Sequence, residues 1–180
     1  MLLTLLVLVA VSQSYLPVGQ SLLVGQQLTT VPSAGGGGCA YVTGDRTSSI
    51  TVTCSMTQGG SPEELVDGNT TGGTFYIFTK GGNGGDYIRF YWNGVSVKIT
   101  EATFYQSTAD AQGDWQWQGS DDASSWTDIG SPFALGGTAT EVLTELSANA
   151  SAYKYYQIVR VSGITSNGPY LYEMQFKECP

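Results

Sequence analysis

The sequence predicts an all-β protein, an antiparallel sandwich of jelly-roll type. The first observation is compositional. Of 180 residues, 24 are Gly and 11 are Tyr, and only 12% are charged. Gly supplies backbone with positive φ for turns, while aromatic and β-branched residues suit pleated surfaces. The second is periodicity: apolar residues recur at every other position in segment after segment, and no amphipathic helix of useful length interrupts them. The third is punctuation, with turn-forming clusters about every dozen residues. A hydrophobic content of 41% is enough to fill one core at this length.

Charge and residue types narrow the function. The net charge of -8 rests on seven Lys and Arg, all scattered, so neither nucleic acid nor an anionic membrane is an expected partner. There is no His, which removes Ser-His and Cys-His nucleophile pairs and the commonest transition-metal ligand. Cys39, Cys54 and Cys179 lack C-x-x-C spacing, which leaves one disulfide and one free thiol as the available arrangement.

Leu2 to Val11 is an apolar run too short to span a bilayer, followed by Ser12, Gln13 and Ser14. Residues 1–31 are expected to form an apolar arm that packs on a neighbouring subunit, so a homo-oligomer is expected. A cleaved secretory signal is the alternative. Residues 32–38 (PSAGGGG) read as a Gly-rich linker, because consecutive glycines prefer no φ and pack no side chain. Residues 39–180 then form one domain.

Within it, Ile50 to Thr53 alternates as a strand behind a turn at Gly44 to Ser49. Glu63 to Val66 reads as one helical turn, with Ser61 as N-cap, Pro62 at the first helical position and Glu64 completing a capping box, and Asp67 and Gly68 ending it. Phe75 to Thr79 is a short strand between Gly-rich loops. Tyr87 to Trp92 places Ile88, Phe90 and Trp92 on one face and Tyr87, Arg89 and Tyr91 on the other. The turn Asn93-Gly94 is expected to pair it with Val95, Val97 and Ile99. Ala102 and Phe104 continue the alternation with shifted parity, which predicts a bulge after Ile99. Trp115 to Gly130 (WQWQGSDDASSWTDIG) is a hairpin holding three of the four Trp. Phe133 to Gly137 is expected to be a loop and Glu141 to Leu146 a strand. Tyr153 to Val161 is apolar on both faces, as in a central strand. Tyr170 to Phe176 alternates, with Tyr170, Tyr172, Met174 and Phe176 on one side.

Six segments then line up in register. LVDGNTTG at Leu65 to Gly72, YIRF at Tyr87 to Phe90, ITEATFYQS at Ile99 to Ser107, GSDDASSWTDIG at Gly119 to Gly130, YYQIVRVSG at Tyr155 to Gly163 and YEMQF at Tyr172 to Phe176 resemble, in that order, a discoidin domain. This domain is also called the coagulation-factor type C domain and belongs to the galactose-binding-like superfamily. The resemblance covers nearly all of Cys39 to Pro180, and the wording, including GDRTSSITVT, is most similar to versions in tailed-phage structural proteins. It implies an eight-stranded jelly roll without catalysis that binds glycans, lipids or proteins through loops at one end. It also implies a structural calcium (Ca2+) at Asp67, Asn69, Thr70 and Glu173, all oxygen donors as calcium requires. DGN as a plain Asx-capped turn is the competing reading. A bridge between Cys39 and Cys179 is implied by the same resemblance, with Cys39 to Cys54 as the competing pairing.

For ligand contact the candidates are Trp115, expected to be the more exposed of the hairpin tryptophans, and Tyr76 and Tyr170 beside turns. Trp126 is expected to clamp the hairpin. Asp121 and Asp122 read as turn formers, because adjacent carboxylates point apart whereas glycoside hydrolysis needs two facing each other. The expected function is a non-enzymatic virion structural protein at the virion surface: a capsid decoration, fibre or tail-associated component. Its arm would dock on capsid or tail subunits, and its discoidin-like module would face outward toward a host-surface glycan. A secreted carbohydrate-binding or adhesion module is the alternative.

Overall fold

Alternating apolar residues fold here into two antiparallel sheets. The computed structural model describes residues 38–77 and 85–180. The apolar arm, all of the linker but its last glycine, and the far end of the strand expected at Phe75 to Thr79 lie outside the described residues. The strands are β1 (Ala40–Val42), β2 (Thr51–Cys54), β3 (Thr57–Gly59), β4 (Tyr76–Ile77), β5 (Tyr87–Tyr91), β6 (Lys98–Gln106), β7 (Gly113–Ser120), β8 (Thr127–Leu135), β9 (Thr140–Leu143), β10 (Tyr155–Ser162) and β11 (Leu171–Cys179). One sheet runs β1-β11-β6-β9, the other β2-β5-β10-β7-β8, and β3 pairs with β4 apart from both. The expected sandwich thus gains the short edge strand β1, whose Ala40, Tyr41 and Val42 pair with Glu178, Lys177 and Phe176. Next to that pairing, Cys39 is bonded to Cys179, and Cys54 is the free cysteine.

The core lies between the sheets. Phe176 of β11 meets Phe90 of β5 at 5.0 Å, Trp92 at 5.1 Å and Trp117 of β7 at 6.4 Å, all edge to face. Such pairs add to what burial of their area already contributes. β10 sits in the middle of its sheet with Tyr156, Ile158 and Arg160 inward, as its two-faced apolar character predicts. The bulge after Ile99 is present: Glu101 pairs with Lys177 and Ile99 with Glu178, leaving Thr100 as the extra residue.

Four local expectations are corrected. Asn93 and Gly94 do adopt positive φ (45° and 91°), but the turn passes the chain from one sheet to the other instead of closing a hairpin. The backbone groups a hairpin would use are taken by Lys154, whose carbonyl accepts the Trp92 N–H at 2.9 Å, and by the mutual bonds of Val97 and Tyr153. Phe133 and Leu135, expected in a loop, are buried in β8. Pro132 is tolerated there because β8 is an edge strand, and the ladder slips between Trp115 and Trp117 so that Gly130 to Pro132 bow out. The Gln116 side chain fills that bow, donating to the carbonyl of Ile129 at 2.9 Å. In β11 a register shift between Leu171 and Glu173 leaves Tyr172 as the extra residue. Leu171 is buried on the side of Met174 and Phe176 as a result, so the simple alternation fails at its start, while Glu173 is buried on the other side against the Gly68 turn. Beyond β9, the segment read as a strand to Leu146 becomes a 3-10 turn over Glu145–Ala148.

Candidate functional site

The antiparallel order brings the end of β6, the starts of β7 and β11 and the end of β10 to one end of the sandwich. There Tyr76 and Tyr170 meet edge to face, ring centroids 5.9 Å apart at 78°. Tyr170 is 45% exposed. Its backbone is fixed on both sides: Ser107 N–H donates to the Tyr170 carbonyl at 2.8 Å, the Tyr170 N–H donates to Ser107 Oγ at 3.0 Å, and Leu171 N–H donates to the Phe75 carbonyl at 2.8 Å. Tyr76 lies over Gly59, where an added Cβ would come within 2.2 Å of the ring, so a larger residue there would displace the Tyr76 side chain.

Polar groups tie the neighbouring loops together. The Asp110 carboxylate accepts from Thr108 Oγ1 at 2.6 Å and from Asn167 Nδ2 at 2.7 Å, and these bonds hold its pKa below the usual carboxylate range. Underneath, buried Gln112 donates to Gln106 Oε1 at 2.8 Å, and Gln106 donates to the carbonyls of Asp110 and Thr138. The loops are therefore pinned from inside and across their tips, a preformed arrangement suited to binding.

Trp115 is corrected by this geometry. It is wholly buried, sharing the inward parity of Trp117, and its Nε1 donates to the Gln112 carbonyl at 3.0 Å. The segment Ala109 to Asp114 that precedes it folds over it through Gln112, so Trp115, expected to be exposed, is a floor and not a surface. The sequence reading also missed Arg160, which is 1% exposed. Its guanidinium lies 5.0 Å from the Trp115 ring and donates from Nη2 to Thr165 Oγ1 at 2.8 Å. Burial pushes its pKa down, while Asp86 and Cys54 oppose the shift. Its shared parity with Tyr156 and Ile158 was the signal that could have placed it inside.

The DGN segment forms a second cluster. Glu64 completes the expected capping box with Ser61, accepting the Ser61 N–H at 3.0 Å, and the Ser61 hydroxyl also meets Glu63. Asp67 caps the end of the 3-10 turn Pro62–Val66, and Gly68 follows at φ 86° with the Gly44 and Asp45 backbone so close that a Cβ would clash at 2.7 Å. Asp67 Oδ1 accepts the Asn69 N–H at 2.8 Å, and Asn69 Oδ1 accepts the Thr71 N–H at 3.1 Å. Glu173, 1% exposed, accepts the Gly68 N–H at 3.0 Å. Burial pushes the Glu173 pKa up to about 8; the Gly68 bond and Arg46 work against this, while Asp67 and Asp45 reinforce it. The structure thus brings Asp67 and Glu173 together, keeps Asn69 in the turn beside them and leaves Thr70 half-buried in the same turn. Among the described residues no three His, Cys, Asp or Glu converge closely enough to hold a metal by themselves, so amide, hydroxyl and backbone oxygens would have to complete any shell. An all-oxygen set around a desolvated carboxyl fits a hard cation such as calcium.

The hairpin turn behaves as its residue types predict. Asp122 Oδ1 accepts the N–H groups of Ser124 and Ser125, each at 2.8 Å, which holds its pKa well below the ordinary range. Asp121 instead accepts the Lys154 N–H at 3.2 Å, so the two carboxylates do not oppose each other. Trp126 is corrected from a buried clamp to a partly exposed ring lying 4.7 Å from the Arg89 guanidinium on the outer face.

Neither a protein-family model nor a curated protein sequence matches the chain. Solved structures do. An F5/8 type C domain from Bacteroides fragilis superposes with TM-score 0.60 at 13% identity, covering 79% of this chain and 98% of that one. The family 32 CBM of NanJ from C. perfringens, in complex with galactose, gives TM-score 0.54 at 13% identity over 74% and 97%. The CBM32 of AlyQ, in complex with 4,5-unsaturated mannuronic acid, gives 0.51 at 17% over 71% and 94%. At these identities the likeness establishes the fold, a galactose-binding-like β-sandwich.

Proposed function

We propose that the chain is a non-enzymatic glycan-binding module whose ligand rests at the loop end against Tyr170 and Tyr76. The observation that carries this is the edge-to-face pair of exposed Tyr170 and half-buried Tyr76, standing beside the bonded cluster of Asp110, Asn167 and Thr108. Aromatic rings offer apolar faces to the C–H side of a sugar, and carboxylate and amide groups meet its hydroxyls. Support comes from modules of the same fold that hold galactose and an unsaturated mannuronic acid. Glycan-array binding followed by calorimetry provides the test. Tyr170→Ala is expected to weaken the best glycan about ten-fold, equivalent to about 1.4 kcal/mol, without altering the melting temperature. Unchanged affinity would remove Tyr170 from the site.

Calcium belongs to the same proposal as a structural ion. Asp67 and Glu173 would hold it, with Asn69 and Thr70 contributing oxygen donors, and it would neutralise the buried Glu173 carboxyl. No chemistry is asked of it beyond fixing the DGN turn against β11.

The proposed setting is the virion surface, with residues 1–31 anchoring the module on capsid or tail subunits, a host-surface glycan as ligand and a homo-oligomeric assembly. A secreted adhesion module is the alternative. The Cys39–Cys179 bridge suits both, since disulfides persist on virion surfaces and in secreted proteins alike. Immunoblotting of purified particles is expected to detect the chain. Its recovery solely from a particle-free soluble fraction would favour the secreted setting.

A further inference from the structure

The outer face of the five-stranded sheet carries a set of side chains that the loop end does not use. Arg89, Gln157, Gln118 and Asp128 stand opposite one another on β5, β10, β7 and β8. They form a relay with one direction: Arg89 Nε donates to Gln157 Oε1 at 3.0 Å, Gln157 Nε2 to Gln118 Oε1 at 2.8 Å, and Gln118 Nε2 to Asp128 Oδ1 at 2.7 Å. The relay fixes the guanidinium through its Nε and leaves the two Nη groups of the fork uncommitted among the described residues. Tyr87 and Trp126 lie 4.4 and 4.7 Å from the same guanidinium. Beside them Tyr91 and Tyr155 stack at 4.3 Å and 12°. All four rings are partly exposed.

Charge complementarity identifies the occupant. The chain is acidic, net -8, and the ion pairs among its described residues join Arg46 to Glu178 and Lys177 to Glu101. Among the described residues Arg89 has no carboxylate partner, although a planar guanidinium held by rings and an amide is preorganised for bidentate contact with one. The one carboxylate in the relay, Asp128, stands at its far end with Oδ1 engaged by Gln118, so the Arg89 fork is the charged group of the relay left without a counter-ion among the described residues. An acidic sugar chain satisfies it: carboxylate on the fork and sugar faces on the partly exposed rings.

We propose that this face is a second glycan-binding surface, separate from the loop end, that takes uronate or sialate residues through Arg89 with Trp126 and the Tyr91–Tyr155 pair as platforms. Affinity electrophoresis of the full chain through gels containing polygalacturonate, alginate, hyaluronan or sialylated mucin tests it. Retardation is expected in at least one acidic polymer and should vanish when the carboxyl groups of that polymer are reduced. Arg89→Gln is expected to weaken retardation about ten-fold, as loss of a charge-assisted fork implies, and Arg89→Lys to fall between. Trp126→Ala should weaken it as well. Absence of retardation in all four polymers, or equal retardation of Arg89→Gln and the unaltered chain, overturns the proposal. Loss of neutral-sugar binding in Tyr170→Ala bears on the loop end alone, so the two surfaces fail independently.

Discussion

Reducing the Cys39–Cys179 bridge is expected to lower the stability of the fold by about 5 kcal/mol, the chain-entropy value for so long a loop. The two residues are 140 apart in sequence, so the bond restricts nearly the whole unfolded domain. Structure adds a local reason. β1 has three residues and sits at a sheet edge, held by its ladder to β11 and by the bridge beside it. For a domain of this size such a loss corresponds to a fall in melting temperature of roughly 10–20 °C. Thermal melts with and without reductant, alongside a Cys39→Ala/Cys179→Ala double variant, measure it. The same reductant should leave the double variant unaffected, since Cys54 is a free thiol. A change of one or two degrees would mean that the ladder alone fixes the termini.

The second large effect is expected at Glu173. Its pKa in the folded chain is about 8, above the ordinary 4.5, so in the absence of a cation the folded state binds the proton more tightly than the unfolded state. Stability contributed by this group is therefore present below about 4.5 and is lost as pH rises toward about 8. In chelator, the melting temperature is expected to decline across that window, and Glu173→Gln should flatten the decline. Calcium should reverse it, raising the melting temperature most at the alkaline end, where the carboxylate is needed charged. Melts that ignore calcium at every pH would dispose of the ion, and a slope unchanged in Glu173→Gln would move the titration to another group.

Local signals in the sequence carried much of this structure. The inward face of β5, the hairpin of β7 and β8 and the extra residue at Thr100 follow from period-two alternation, which depends only on near neighbours. What failed depended on distant partners. Asn93-Gly94 has hairpin chemistry, but which strands pair is decided by Lys154 and Tyr153, some sixty residues away. Pro132 reads as a strand breaker until β8 is known to be an edge. At the loop end, Tyr76 and Tyr170 could be named as candidates, yet their meeting edge to face depends on Ser107 and Phe75 holding the chain at Tyr170. Trp115 could not be assigned to the floor without knowing that Gln112 lies over it. The burial of Glu173 was hidden because it sits opposite Tyr105 on the outer side of β11 and is covered by the Gly68 turn, more than a hundred residues earlier in the chain.

The loop-end site is tested by nuclear magnetic resonance titration of the isotope-labelled chain with the best neutral glycan found on the array. Amide shift changes are expected to concentrate at Ser107, Asp110, Asn167, Tyr170 and Tyr76 and to saturate together with one affinity. Changes confined to the outer sheet face or to the DGN turn, with the loop end silent, would contradict it.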